Sequence, residues 1–212
     1  MKIELINISK KFQKNEILHD VNISLTSGKI YGFIGRNGSG KSVLLKIICG
    51  LYEPSNGKVL FDGVDLFESG KIPPNTRALI EKPSFIGELT GRENLEMLAA
   101  IQNKIGKDEI DKVIDMVNLG SDSEKQFGKY SLGMKQKLGI AQALMEDPEV
   151  IILDEPFNGI EEETTNKLRK LLISEKKKGK LIILASHITD DINLLADEVY
   201  QFDNGFVKKY KK

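Results

Sequence analysis

Gly35-Arg36-Asn37-Gly38-Ser39-Gly40-Lys41-Ser42 is the stretch on which the reading of this 212-residue chain turns. A run suited to a buried strand, Ile30–Ile34, feeds directly into it, and Val43-Leu44-Leu45-Lys46-Ile47-Ile48 beyond it is apolar enough to pack as a helix. Strand, glycine-rich loop and helix make the context in which G-x-x-x-x-G-K-[ST] is a phosphate-binding loop rather than a chance match. The glycines tolerate φ > 0 and carry no side chain, so backbone N–H groups can turn inward around an anion. The helix N-terminus adds unpaired N–H groups and the positive end of its dipole. Lys41 is expected to reach the terminal phosphates of a nucleotide, and Ser42 to place a hydroxyl on Mg²⁺.

A chain of 212 residues is long enough for one generous domain. Hydrophobic residues at 40% and charged residues at 29% are an ordinary globular composition. Basic and acidic residues both number 31, so no basic field argues for nucleic acid as a partner. The one cysteine, Cys49, excludes an internal disulfide and reads as a buried, inert thiol. The first residues lack an apolar core of signal-peptide length. No apolar run reaches the roughly 18 residues of a membrane span, so a soluble, cytoplasmic protein is expected.

Ile3, Leu5 and Ile8 open a strand-like segment, and Val21, Ile23 and Leu25 give another its alternation. Between them, Lys10-Lys11-Phe12-Gln13-Lys14-Asn15 reads as a polar loop. Its aromatic, Phe12, is either an anchor packed on its own strands or a platform for a nucleotide base. Residues 58–61 read as a short strand before the Asp62-Gly63 turn, and residues 77–81 as another, stopped by Pro83. Thr90 with Glu93 is a capping box, and Leu95, Leu98, Ile101 and Ile105 keep a helical spacing. Residues 108–119 offer a second amphipathic helix closed by Gly120, so residues 88–128 read as a helical insert between two strand-rich parts. Residues 149–154 are an apolar strand ending in a carboxylate, and residues 161–178 a helix with a charged face. Lys176-Lys177-Lys178-Gly179-Lys180 reads as that helix's solvated last turn. A buried strand over residues 181–185 ends at Ser186-His187, and a helix and two strands complete the chain. Strands alternating with helices imply an α/β fold with a mostly parallel sheet.

In such a sheet the carboxyl ends of the strands share one crevice, where the phosphate loop, Asp154 and His187 can converge on one ligand. Asp154 suits a carboxylate that holds Mg²⁺, directly or through its waters. Glu155 beside it suits activation of water for attack on a γ-phosphate. His187 is placed to donate to that phosphate; a structural histidine is the plainer reading of a lone His.

Taken in order, these motifs resemble the nucleotide-binding subunits of ATP-binding-cassette (ABC) transporters. The Walker A loop is residues 35–42, and the Walker B strand with its glutamate is residues 150–155. Between them, Tyr130-Ser131-Leu132-Gly133-Met134-Lys135-Gln136 sits where the family has its Leu-Ser-Gly-Gly-Gln signature. Phe12 falls at the aromatic that stacks on adenine, His187 at the switch histidine, and Asn158-Gly159-Ile160-Glu161 in the D-loop. The resemblance implies a P-loop NTPase core with an antiparallel β subdomain and a helical subdomain over about residues 88–145, the core taking residues 1–87 and 146–212. ATP is then the substrate and Mg²⁺ its companion, held by Ser42, Asp154 and Glu81. Gly35, Arg36, Asn37, Gly38, Ser39, Gly40, Lys41, Ser42 and the backbone of Val43 would wrap the phosphates. Ser131, Leu132, Gly133 and Met134 would face the γ-phosphate bound by a second cassette, identical or not. Ser131 also stands at the N-cap of a helix over residues 132–145, where Gly133 permits close backbone approach.

The chain departs from the family pattern in four motifs, at five positions. Glu81 replaces the Q-loop glutamine, Leu132 and Met134 replace a glycine and a glutamine of the signature, Val43 replaces a hydroxyl residue after the Walker A serine, and Glu161 replaces the D-loop aspartate. None removes Lys41, Ser42, Asp154, Glu155 or His187, so ATP hydrolysis is expected. The Ile-Glu-x-Pro and signature patterns look most like subunits that export peptide antibiotics, bacteriocins or lantibiotics. The resemblance further implies integral membrane subunits as partners, docked at Phe85, Ile86 and Leu89, and a place on the cytoplasmic face of the membrane. Phe85, Ile86 and Leu89 equally suit packing under the helical insert. A cassette ATPase of translation or DNA repair is the alternative; neither a second cassette nor a sustained heptad is present to favour it.

Overall fold

The computed structural model describes residues 1–70 and 72–210. Its elements in chain order are β1 (Lys2–Phe12), β2 (Asn15–Thr26), β3 (Ile30–Ile34), α1 (Lys41–Ile48), β4 (Asn56–Phe61), β5 (Val64–Asp65), β6 (Thr76–Leu79), α2 (Gly91–Gln102), α3 (Lys107–Met116), α4 (Leu132–Leu144), β7 (Val150–Asp154), α5 (Glu162–Lys177), β8 (Leu181–Ser186), α6 (Thr189–Leu195), β9 (Glu198–Asp203) and β10 (Phe206–Tyr210). The strands form two sheets. One is antiparallel in the order β2-β1-β4-β5; the other has the order β10-β9-β3-β8-β7-β6 and is parallel except for β10.

The larger sheet is buried on both faces, which is why β3, β7 and β8 are continuous apolar runs. Successive side chains point to opposite faces. Ile30, Ile34, Ile151, Leu153, Ile182 and Leu184 join one core with α4, α5 and α6, whereas Tyr31, Phe33, Val150, Ile152, Leu181 and Ile183 join another with α1 and the antiparallel sheet. Helix α1 is thereby held between the sheets by Leu44, Leu45, Ile47 and Ile48. On the other face, α6 presses onto β3 so closely that a Cβ at Gly32 would lie 2.1 Å from Ile192 Cγ2.

The capping box is present at α2: the Thr90 side chain accepts from Glu93 N–H, and the Thr90 N–H donates to the Glu93 carboxylate. Cys49 is partly buried, and burial pushes its thiol up to about 12, as an inert thiol requires. Several expectations are corrected. The supposed loop over residues 10–15 is mostly strand: β1 and β2 run to a hairpin with Phe12 paired to Asn15, because β1 lies between β2 and β4 and its ladder carries Lys10 and Lys11 along. β6 stops at Leu79, where the chain soon turns through Glu81 at φ 63°. α3 ends at Met116, and Gly120 instead opens a 3₁₀ turn, Gly120–Glu124. Ile101 is 76% exposed despite its helical spacing. The lysine run is a solvated last turn only in part: Lys177, Lys178 and Gly179 are exposed at the end of α5, whereas Lys180 is not. Lys180 is only 8% exposed and lies 2.6 Å from the buried Glu175 and 2.5 Å from Asp147, while Lys176 pairs with Asp197 at 2.9 Å.

Substituting Gly32→Ala should drive α6 off the sheet and cost about 1–3 kcal/mol of stability. Chemical denaturation measures this, and an unchanged midpoint would show that α6 can move without loss.

Candidate functional site

The parallel strands end along one edge of the larger sheet, and the site is assembled there. β3 delivers the glycine-rich loop, β7 ends at Asp154, and β8 ends at Ser186, with His187 next. A cleft of about 780 Å³ runs along this edge, lined by residues of the loop, by Asp154 and Glu155, and by Phe12, Glu81, Leu132 and Asn158.

The loop needs its glycines. Gly38 and Gly40 sit at φ 78° and 106°, in the left-handed region, and a Cβ at Gly40 would lie 2.8 Å from Leu18 Cδ2. Gly40 caps α1 with no side-chain acceptor, which leaves the N–H groups of the first turn without side-chain capping. The turn between β9 and β10 braces the loop from behind: Gly205 N–H donates to Ser39 O at 3.2 Å, and His19 N–H donates to Gly205 O at 3.0 Å. Arg36, Asn37 and Gly38 are exposed, whereas Ser39 and Lys41 are buried. Lys41 donates to Gly35 O at 2.6 Å and Arg36 O at 3.2 Å. Burial lowers the pKa of its ammonium, with Glu155 and Asp154 opposing that shift. Ser39 Oγ is buried and has no hydrogen-bond partner among the described residues. Orphaned hydroxyls of this kind are costly, so this one fits a ligand oxygen in the loop.

Ser42 Oγ donates to Asp154 Oδ2 at 2.5 Å. Asp154 is buried, and burial pushes its carboxyl up from the usual range, with the Ser42 hydrogen bond opposing. A carboxylate and a hydroxyl side by side are the hard oxygen donors that Mg²⁺ takes when phosphates and water complete its shell. Among the described residues no group of three or more His, Cys, Asp or Glu side chains gathers to hold a metal alone.

Glu155 follows Asp154 at φ 50°, a left-handed conformation strained for a side chain of its size. Three hydrogen bonds stabilise that turn: Glu155 N–H donates to Ala185 O at 2.8 Å, Gln136 Nε2 donates to Glu155 O at 2.9 Å, and Asn158 N–H donates to Glu155 O at 3.3 Å. Its carboxylate accepts from His187 N–H at 2.9 Å and from Ser186 Oγ at 3.1 Å, and lies 2.8 Å from His187 Nδ1. The acid and the histidine that the sequence singled out therefore meet directly.

The other expected residues are placed as follows. Phe12 is 40% exposed into the cleft and also packs edge-on against Tyr52 at 5.4 Å, so it keeps both of its readings. Val43 is partly buried against the inter-sheet core. Glu81 lines the cleft with its carboxylate 2.5 Å from Lys46 Nζ. Ser131 is the N-cap of α4, its Oγ accepting from Met134 N–H at 3.2 Å. Leu132 is exposed, and Met134 packs on the core beneath α4. Gly133 does permit a close backbone approach, and the backbone that approaches is this chain's own: a Cβ there would lie 2.5 Å from Gly159 O. Ile160 packs on the core and Glu161 is the N-cap of α5. Gln136 and Lys46 went unassigned in the sequence reading. Lys46 stands one helical turn beyond Ser42 on the same face of α1, a spacing that could have drawn attention to it.

A second cleft of about 560 Å³ lies between the segment after β6 and α2, lined in part by Pro83, Phe85, Ile86, Met97 and Leu98. Phe85 packs on Phe127 at 5.1 Å, Ile86 is 43% exposed, and the buried Asn94 clamps the Ile86 backbone at 2.9 and 3.1 Å. Among the described residues no helix is long and apolar enough to cross a membrane.

A family model described as ABC transporter matches residues 18–158. The bacitracin transport ATP-binding protein BcrA of Bacillus licheniformis is 38% identical over 199 residues, which make up 93% of this chain and 65% of that protein. The lantibiotic transport ATP-binding protein SrtF of Streptococcus pyogenes is 33% identical over 195 residues, 92% of this chain and 84% of that protein. A solved structure described as the ATP-binding subunit of an ABC transporter superposes with a TM-score of 0.87 at 28% identity, covering 99% of this chain and 90% of that one.

The orphaned Ser39 hydroxyl sets the test of the loop. Ser39→Ala should leave the unfolding free energy unchanged or raise it by up to about 1 kcal/mol, with the midpoint unchanged or higher, and should weaken binding of a non-hydrolysable nucleoside triphosphate by roughly threefold to tenfold. A lower midpoint with unchanged binding would mark the hydroxyl as a structural group.

Proposed function

This chain belongs to the ABC transporter family, and from that premise we propose that it is the ATP-binding and ATP-hydrolysing subunit of such a transporter. The observation that carries the proposal is the 2.5 Å hydrogen bond from Ser42 to Asp154 at the mouth of a glycine-rich loop with an orphaned hydroxyl. It joins the phosphate end of the site to the strand that bears the acid.

In this reading the loop amides and Lys41 take the β- and γ-phosphates, Lys41 exchanging its own-loop carbonyls for phosphate oxygens. Ser42 and Asp154 would hold Mg²⁺, with Glu81 within the same cleft. When bound, the ion neutralises charge building on the phosphate oxygens. Glu155 orients a water and takes its proton as the water oxygen bonds to the γ-phosphorus. The bond to the β-phosphate oxygen breaks, giving ADP and phosphate. His187, already on Glu155, fixes that carboxylate and can reach a γ-phosphate oxygen. Phe12 supplies an aromatic face or edge to the base.

A hydrolytic site this open gains from a cover that excludes water. We assign that role to a second cassette bringing Ser131, Leu132, Gly133 and Met134, with the 158–161 loop beside them, to the γ-phosphate. One domain spanning the chain, with residues 88–145 as its helical part, suits such closure. The Ile86 cleft suits docking of a membrane subunit, which would place the chain peripherally at the membrane. The names of the relatives support transport of a peptide antibiotic, and export is the direction assigned to it in this reading.

Replacing Glu155 with Gln removes the base and keeps the shape. Phosphate release should fall at least about 100-fold, while ATP binding survives and an ATP-bound dimer accumulates on gel filtration. Parental turnover in this variant would remove Glu155 from the mechanism.

A further inference from the structure

Two cations, Lys41 and Lys82, and three carboxylates, Glu81, Asp154 and Glu155, line the cleft proposed to bind a polyphosphate. Asp154 and Glu155 have partners within the site, Ser42 and His187. Glu81 does not face the loop in this way. Its carboxylate lies 2.5 Å from Nζ of Lys46, a residue four positions beyond Ser42 and therefore on the same face of α1, about one turn or 6 Å along the helix. The lysine itself is confined: its side chain is 18% exposed against 62% for Glu81, its Nζ stands 5.2 Å from the Tyr52 ring, and its carbonyl accepts from the N–H groups of Leu51 and Tyr52. Tyr52 in turn meets Phe12 edge-on, at the end of the cleft proposed for the base. A lysine pinned between a ring and a carboxylate has lost much of its rotamer freedom before any ligand arrives.

We infer that Lys46 is a positioning residue of the nucleotide site: it holds Glu81 one turn away from Ser42 and cancels the charge that this acid would otherwise present to the incoming phosphates. The inference rests on the function proposed above. A glutamine at position 81 would bring no charge and need no counterion. The glutamate does, and α1 supplies the cation from the same face that carries Ser42. The pair is partly solvated, so its effect on ligand affinity is modest and screened by salt.

The test is a double-mutant cycle read as ATP dissociation constants in EDTA, by displacement of a fluorescent ATP analogue, with the thermal midpoint of each variant recorded. Omitting the metal leaves charge compensation as the quantity measured. Lys46→Met should weaken ATP binding roughly threefold to fivefold in the parent and by less than about twofold in the Glu81→Gln background. Lys46→Arg should keep affinity within about twofold of the parent, and the parental loss should shrink at high salt. The same loss in both backgrounds, or a loss that follows a lowered midpoint in both, overturns the inference and makes Lys46 a structural residue of α1. A parent that binds ATP with additive mutants therefore defeats this inference alone; a parent that binds no ATP defeats the functional reading as well.

Discussion

Everything in this molecule leans on the burial of β3 between β8 and β9. The five residues of β3, all buried, pair in parallel with β8, four of them also with β9, and their side chains split between two cores. Because neither face meets water, the strand has little freedom to slip; a one-residue shift would exchange Tyr31 and Phe33 with Ile30 and Ile34. That rigidity is transmitted to the loop that follows. The loop's glycines adopt conformations that would scatter in a free peptide, and here they are fixed at the start by β3, at the end by α1 and from behind by Gly205.

Electrostatics sets the second layer. The site collects carboxylates at the ends of neighbouring strands and then commits each to a different partner. Asp154 is buried beside a hydroxyl, Glu155 is tied to a histidine and a serine on the next strand, and Glu81 is paired with a lysine. Three acids left unpaired in one cleft would repel both each other and a phosphate chain. Distinct partners allow them to coexist, and the left-handed turn at Glu155 is the local strain that this arrangement tolerates.

Much of this was legible in the sequence because the decisive signals are local. The strand, loop and helix around Lys41 declare themselves within about twenty residues, the Thr90–Glu93 box within four, and Asp154 follows an apolar run that can only be a buried strand. What escaped notice depends on contacts between distant segments. Lys10 and Lys11 looked like loop residues, yet they pair with Leu18 and Glu16 across the hairpin, and Lys10 Nζ and Lys11 N–H donate to Glu53 O and Ser55 Oγ, 43 and 44 positions away. Lys180 looked solvated because one of its two counterions, Asp147, lies 33 positions back, although the other, Glu175, is in the helix just before it. Gly133 was expected to permit a close backbone approach, and the sequence does not name the backbone of Gly159 as one that makes it. In each case composition gave the residue's chemistry correctly and could not give its neighbour.

The bracing of the phosphate loop by the β9–β10 turn has a consequence for how the molecule is made. The loop is synthesised at residues 35–42, but β8 and β9 follow only at residues 181–203, and Gly205 after them. β3 lacks its neighbours until β8 (Leu181–Ser186) and β9 (Glu198–Asp203) have emerged, and the loop has nothing behind it until Gly205 follows them. Local elements such as the β1–β2 hairpin can form early in translation, whereas the ability to grip phosphate waits for these later segments. Unfinished chains would thus carry the motif without its activity, and a pool of stalled nascent chains would not compete with complete molecules for nucleotide.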